Sequence, residues 1–117
     1  MGTILQCQSE DDVQRLLRES SERPVMLFKH STRCPISAAA KRHFDQFAAR
    51  TEDVTCWVVL VIEHRPLSQQ LAREVGVSHQ SPQVILLVNG QSVWNTSHGL
   101  ITESALLQAV TIIQPVA

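Results

Sequence analysis

The chain has 117 residues, of which 44% are hydrophobic and 18% charged. These proportions are typical of a globular protein, and the length predicts a single domain over residues 1–117. Ten basic and eleven acidic residues give a net charge of −1, which argues against nucleic acid or an anionic membrane surface as a partner.

No targeting or membrane signal stands out in the sequence. The N-terminal segment MGTILQCQSEDD lacks the basic stretch and long apolar run of a signal peptide. The longest apolar run, residues 57–62, is too short to cross a bilayer. We therefore expect a cytoplasmic location.

The first half of the chain alternates predicted strands and helices. Residues 3–7 form a short strand, and Ser9 caps a helix that runs to about residue 20 with three acidic residues in its first turn. Residues 24–30 form a compact apolar strand. The alanine-rich segment after Pro35 forms a helix of about four turns.

The second half predicts two more helices and three strands. Residues 55–63 form a buried strand, and a helix begins at Pro66 and stops at Gly76. Residues 81–97 form two strands joined by an Asn89-Gly90 hairpin turn, and Thr102 caps a last helix.

The predicted order is therefore β-α-β-α-β-α-β-β-α. Helices between strands imply crossover connections and a parallel part of the sheet, whereas the hairpin makes the last two strands antiparallel. We predict an α/β protein of the thioredoxin-like fold, with a mixed central sheet and helices on both faces.

Three cysteines are present: Cys7, Cys34 and Cys56. Their odd number and wide spacing do not suit a disulfide framework, and without a CxxC pair they predict no metal site. Cys7 and Cys56 fall in predicted strands, where a free cysteine usually packs as a small hydrophobic residue.

Cys34 is the candidate catalytic nucleophile, because it lies where a buried strand ends and a helix begins. Pro35 suits the first helical position, which makes Cys34 the N-cap. A thiolate at an N-cap can accept hydrogen bonds from the free backbone N–H groups, here those of Ile36 and Ser37. The positive end of the helix dipole also stabilises the anion.

Ser37 is the second candidate catalytic residue, three positions after Cys34 on the same helix face. A dithiol thioredoxin has its second cysteine at this place. A serine can donate a hydrogen bond to the thiolate but cannot form a disulfide. The chemistry is then monothiol, and an external thiol must resolve the mixed disulfide.

Further residues are predicted around the thiol. A cis peptide bond before Pro82 would bring Ser81 beside Cys34. We expect this isomer because the strand otherwise looks internal and the predicted order of elements is that of the thioredoxin-like fold. The histidines His30 and His98 either lie near the site or are ordinary solvated or core residues. The predicted substrate-binding residues are Lys29, Arg33, Pro35, Ser81, Pro82 and His98.

The segment FKHSTRCPISAAA resembles the thiol motif of the YtxJ family, the monothiol bacilliredoxins. The segment RPLSQQLAREVGVSHQSPQVILLVNGQSVWNTSHGLITESAL is similar to the rest of that family. The resemblance implies a thioredoxin-like fold, Cys34 as nucleophile and Pro82 as the cis proline. It implies removal of bacillithiol from S-thiolated proteins, with bacillithiol as co-substrate and no tightly bound cofactor.

Two other interpretations remain open at this stage. Cys34 and an external thiol could hold an iron–sulfur cluster between two subunits, which would make the chain a binding module. Alternatively, the chain is a stress-associated interaction protein with a vestigial site. A thiol peroxidase fits less well, because its pattern needs a proline where this chain has Leu27.

Overall fold

The computed structural model describes residues 3–113. Its elements are β1 (Ile4–Gln6), α1 (Glu10–Glu19), β2 (Val25–His30), α2 (Pro35–Arg50), β3 (Thr55–Leu60), α3 (Arg65–Val75), β4 (Gln83–Val88), β5 (Gln91–Ser97), a 3-10 turn (His98–Leu100) and α4 (Glu103–Ile113). This order confirms the predicted succession of strands and helices.

The five strands form one mixed sheet in the order β1-β3-β2-β4-β5. β1 and β2 both pair with β3 in parallel, whereas β4 is antiparallel to β2 and to β5. Because β2 and β3 are parallel and β4 runs the other way, the ends of β2 and β3 and the start of β4 meet at one edge of the sheet.

The core consists of two clusters on opposite faces of the sheet. Alternate residues of the strands pack against α2 and α4 on one face, and the remaining ones pack against α1 and α3 on the other. β2 is buried along its whole length, because it is covered on both faces. The prediction of helices on both faces is confirmed.

Local signals in the sequence define most of the helix ends and turns. The Ser9 side chain accepts a hydrogen bond from the Asp12 N–H at 3.1 Å, and Thr102 caps α4 through the Ala105 N–H at 3.1 Å. Gly76 ends α3 in the left-handed conformation, with φ 73°. Asn89 and Gly90 have φ values of 53° and 75°, as a two-residue type I′ hairpin requires.

β3 is shorter than predicted. The strand was expected over residues 55–63 but ends at Leu60, and the chain then turns so that the Val61 N–H donates to the His30 carbonyl at 3.0 Å. α3 begins at Arg65, one residue before the predicted start at Pro66. This turn borders the candidate site described below.

Among residues 3–113, no helix combines the length and apolar character needed to cross a membrane.

Candidate functional site

Cys34 lies at the edge of the sheet where β2 gives way to α2. It is the N-cap of α2, with extended φ and ψ of −114° and 121°, and Pro35 follows as the first helical residue. Its side chain makes no capping hydrogen bond, so the predicted contacts with the N–H groups of Ile36 and Ser37 are wrong. Thiol sulfur is a weak acceptor, and the residue instead lines an adjacent cavity.

This Cys34 cavity has a volume of about 320 Å³. Its walls are the turns that follow β2 and β3, the first turns of α3 and the loop before β4. Cys34 is partly exposed there. A thiol in this position can reach a small molecule held in the cavity.

Ser37 does not serve Cys34 in the way the sequence suggested. Its hydroxyl is fully buried, lies 2.6 Å from His30 Nδ1 and accepts the Ser31 N–H at 2.9 Å. The predicted hydrogen bond to the thiolate is therefore a wrong prediction. The Ser31 N–H of this turn is partly buried and is satisfied by the Ser37 hydroxyl.

His30 lies beneath the turn and not on its surface. It is 7% exposed and stacks on Phe28, with the ring centroids 5.2 Å apart. Burial, with a smaller effect of Lys41, lowers the pKa of His30, although Asp45 and Glu63 oppose the shift. His30 is therefore a buried, neutral imidazole that contacts the Ser37 hydroxyl.

The Ser81–Pro82 peptide bond is cis, as predicted. Ser81 lines the same cavity as Cys34, so two segments far apart in sequence meet as expected. The Ser81 hydroxyl is buried and has no hydrogen-bond partner in the described part of the chain.

Lys29 and Arg33 occupy different places from those predicted. Arg33 is exposed on the turn and does not line the Cys34 cavity. Lys29 is completely buried on the α1/α3 side of β2, where its Nζ lies 3.2 Å from His79 Nδ1. Burial lowers the pKa of Lys29 to about 8. Lys29 therefore does not line the cavity but contacts His79, which does.

Two charged or titratable residues of the Cys34 cavity were missed from the sequence: Arg65 at the start of α3 and His79 before β4. His79 is exposed, and its Nδ1 also lies 3.4 Å from Ser68 Oγ. A signal was available, because the sequence predicts a parallel part of the sheet. In such a part the helices that follow neighbouring strands begin at the same edge, as α2 and α3 do here.

Pro35 and His98 meet in a second cavity of about 380 Å³, whose lining includes Ile36 and Gly99. His98 has φ 55°, and its N–H donates to the Pro82 carbonyl at 3.0 Å. This His98 cavity borders the first turn of α2, so the structure brings His98, Pro82 and the helix start together.

The other two cysteines are core residues, as predicted. Cys7 and Cys56 are 1% and 2% exposed. Burial raises the pKa of both thiols to about 12, and Asp12 adds to the effect at Cys7. At pH 8 only about one part in ten thousand of such a thiol is ionised. Cys34 is the accessible thiol of the chain.

Comparison with known proteins gives the same picture. The family profile of monothiol bacilliredoxin BrxC matches residues 5–106. A solved structure described as a putative oxidoreductase with a thioredoxin fold shares 37% sequence identity, with a TM-score of 0.81, and the match covers 93% of this chain and 95% of the other.

Two thioredoxins support the fold alone. The thioredoxin of Malassezia sympodialis has 21% identity and a TM-score of 0.76, with 96% of this chain and 91% of that one covered. A mutant thioredoxin from Halobacterium salinarum has 20% identity and a TM-score of 0.76, with 99% and 95% covered. The profile match over residues 5–106 and the oxidoreductase with 37% identity show that the chain belongs to the monothiol bacilliredoxin family BrxC and is a redox enzyme, a thiol oxidoreductase of the thioredoxin fold.

Proposed function

We propose that the protein removes bacillithiol from S-thiolated proteins, with Cys34 as the nucleophile. One observation carries the proposal: the accessible thiol stands at a helix start and opens onto a cavity large enough for a small molecule. Ser37 stands where a resolving cysteine would be, so the second sulfur must come from outside the chain.

The reaction proceeds by two thiol–disulfide exchanges. The Cys34 thiolate attacks the bacillithiol sulfur of the mixed disulfide, forming a Cys34–bacillithiol disulfide and releasing the protein thiolate, which takes up a proton. A second bacillithiol, as its thiolate, then attacks the bacillithiol sulfur on Cys34. The products are bacillithiol disulfide and the free Cys34 thiolate.

The protein substrate would bind over the His98 cavity. Its lining residues Pro35 and His98 are the predicted substrate contacts, and Ile36 and Leu100 beside it are 50% and 72% exposed. Exposed apolar side chains around a groove suit an extended segment of another protein. Ser81 and Pro82 would form the boundary between protein substrate and small thiol.

We propose bacillithiol as a co-substrate and not a tightly bound cofactor, and S-thiolated proteins as the partners. The cytoplasm is the proposed location, because free thiols persist in a reducing compartment.

The test compares de-thiolation rates on one carrier protein modified either with bacillithiol or with glutathione, with the matching free thiol as reductant. We expect faster release from the bacillithiolated carrier and no release by the Cys34→Ser variant. Cys56→Ala, at a buried thiol, is the matched control and should retain turnover if it folds. Equal rates for the two thiols, or full activity of Cys34→Ser, would contradict the proposal.

A further inference from the structure

The positive charge of Arg65 lies in the wall of the Cys34 cavity. Arg65 and His79 both line it, and no Asp or Glu among the described residues does so. Arg65 is exposed and forms no ion pair within residues 3–113. This guanidinium, beside the accessible Cys34 thiol, is suited to a bidentate contact with a carboxylate.

His79 is held in one tautomer by the residues behind it. The Lys29 ammonium group, a donor without acceptor capacity, lies 3.2 Å from Nδ1. Nδ1 must then accept, and in the neutral ring the proton resides on Nε2. Burial, Lys29 and Arg65 all lower the pKa of His79, so the neutral form prevails and presents Nε2–H as a hydrogen-bond donor.

The described residues that line the site also supply no negative charge. Lys29 is fully buried and forms no ion pair with a described residue, although a buried ammonium group is costly without a counter-ion. The Ser81 hydroxyl at the same cavity is buried and has no partner among the described residues. An anion in the cavity would satisfy both groups, since it would accept from Ser81 and offset the charge of Lys29.

We propose that the Cys34 cavity is a carboxylate-binding subsite for the small co-substrate thiol, with Arg65 and His79 as its recognition residues. Ser81 adds a third donor, and Lys29 is a positioning residue that acts through His79. The inference rests on the proposed function, because it concerns the small thiol of that reaction. A volume of about 320 Å³ is at the lower end of the range of small-molecule sites.

The experiment compares two reductants: bacillithiol, whose malate group carries carboxylates, and the dimethyl ester of that malate group. The bacillithiolated carrier is kept at a saturating concentration. We expect Arg65→Gln to raise KM for bacillithiol about tenfold, the loss typical of one charge-assisted contact, while kcat changes less than twofold. KM for the ester should be the same in wild type and variant. Arg73→Gln, in the last turn of the same helix and away from the cavity, is the matched control and should leave both KM values unchanged.

Three results would overturn the subsite: equal KM values for acid and ester in the wild type, an equal rise in KM for both reductants in Arg65→Gln, or an equal effect of Arg73→Gln. A direct binding measurement separates this proposal from the proposed function. The Cys34→Ser protein is titrated with S-methyl bacillithiol and with its dimethyl ester, and the His79 ring signals are followed by NMR.

Shifts with the acid and none with the ester support the subsite even where the wild type fails to de-thiolate the carrier. No shift with either compound overturns the subsite even where de-thiolation proceeds.

Discussion

Lys29 is a charged residue in an unusual position, because its ammonium group is buried and no opposite charge within residues 3–113 pairs with it. It is one of two lysines in the chain, and its hydrogen-bond partner is His79. Desolvation favours the neutral amine, so folding with the proton bound is less favourable than folding without it.

The pH dependence of stability follows from this shift. The pKa of Lys29 falls from 10.5 in the unfolded chain to about 8 in the fold. Between these values the unfolded chain holds one proton more than the folded one, so the contribution of Lys29 to the free energy of unfolding rises with pH. Below pH 8 its unfavourable contribution is fully present.

We therefore expect Lys29→Met to be more stable than the wild type at pH 7, by about 1–3 kcal/mol. The difference should shrink as the pH rises from 8 to 10.5. Urea unfolding at a series of pH values measures this stability difference. Lys41→Met is the control, because it removes the other lysine, whose ammonium group pairs with Asp45 at 2.9 Å. A difference that stays constant or grows over this range would contradict the expectation.

Among the elements, the junction between β2 and α2 depends on side chains from both sides. Ser37, in the first turn of α2, holds the end of β2 through His30 Nδ1 and the Ser31 N–H. These hydrogen bonds fix the turn on which Cys34 lies.

Ser37→Ala should lower the free energy of unfolding by about 1–3 kcal/mol, because it leaves a partly buried N–H and a buried ring nitrogen without their partner. Ser21→Ala is the matched control: Ser21 is exposed, and its side chain has no hydrogen bond within the described residues. Urea unfolding followed by circular dichroism measures both. An equal, small loss in the two variants would show that the Ser37 contacts contribute little.

Local features of the elements could be predicted from the sequence, whereas long-range contacts could not. Ser9, Gly76 and the Asn89-Gly90 turn act on backbone groups a few residues away, so their local sequence was sufficient. The cis peptide before Pro82 required the order of elements as well.

The placement of Lys29 depends on His79, which lies 50 residues further along the chain. Sequence proximity to Cys34 suggested a surface cation for both Lys29 and Arg33, but the alternation of side chains along β2 directs Lys29 to the α1/α3 face. Arg65 was missed because it precedes the predicted helix start at Pro66 and lies far from Cys34 in sequence. Its place in the site depends on which strands are neighbours, because β2 and β3 pair and bring the starts of α2 and α3 together.

The whole molecule is organised as two apolar clusters that share one sheet. β1, β2, β3 and β4 each contribute alternate residues to both, so neither cluster can lose its packing without disturbing the backbone that supports the other. The two tryptophans report on different sides: Trp57 belongs to the α1/α3 cluster, whereas Trp94 packs against the α2/α4 cluster.

We expect both faces to unfold in one transition. Phe44→Ala and Leu71→Ala, which remove buried side chains from opposite faces, should each cost about 2–5 kcal/mol. The measurement uses Trp94→Phe and Trp57→Phe backgrounds, so that fluorescence follows one face at a time and circular dichroism follows the whole chain. Fluorescence and circular dichroism midpoints that differ within one variant would show that the faces unfold separately.

The tip of the β4–β5 hairpin, at the opposite edge of the sheet from Cys34, matters for protein engineering. Hairpin tips are ordinarily favoured points for inserting a tag or a second domain. Here Ser20 at the end of α1 is 2% exposed; its carbonyl accepts the Asn89 N–H and its hydroxyl accepts the Gly90 N–H, both at 2.8 Å. An insertion at Asn89-Gly90 would separate the hairpin from α1, so the exposed residues Glu52 and Asp53 between α2 and β3 offer a better fusion point.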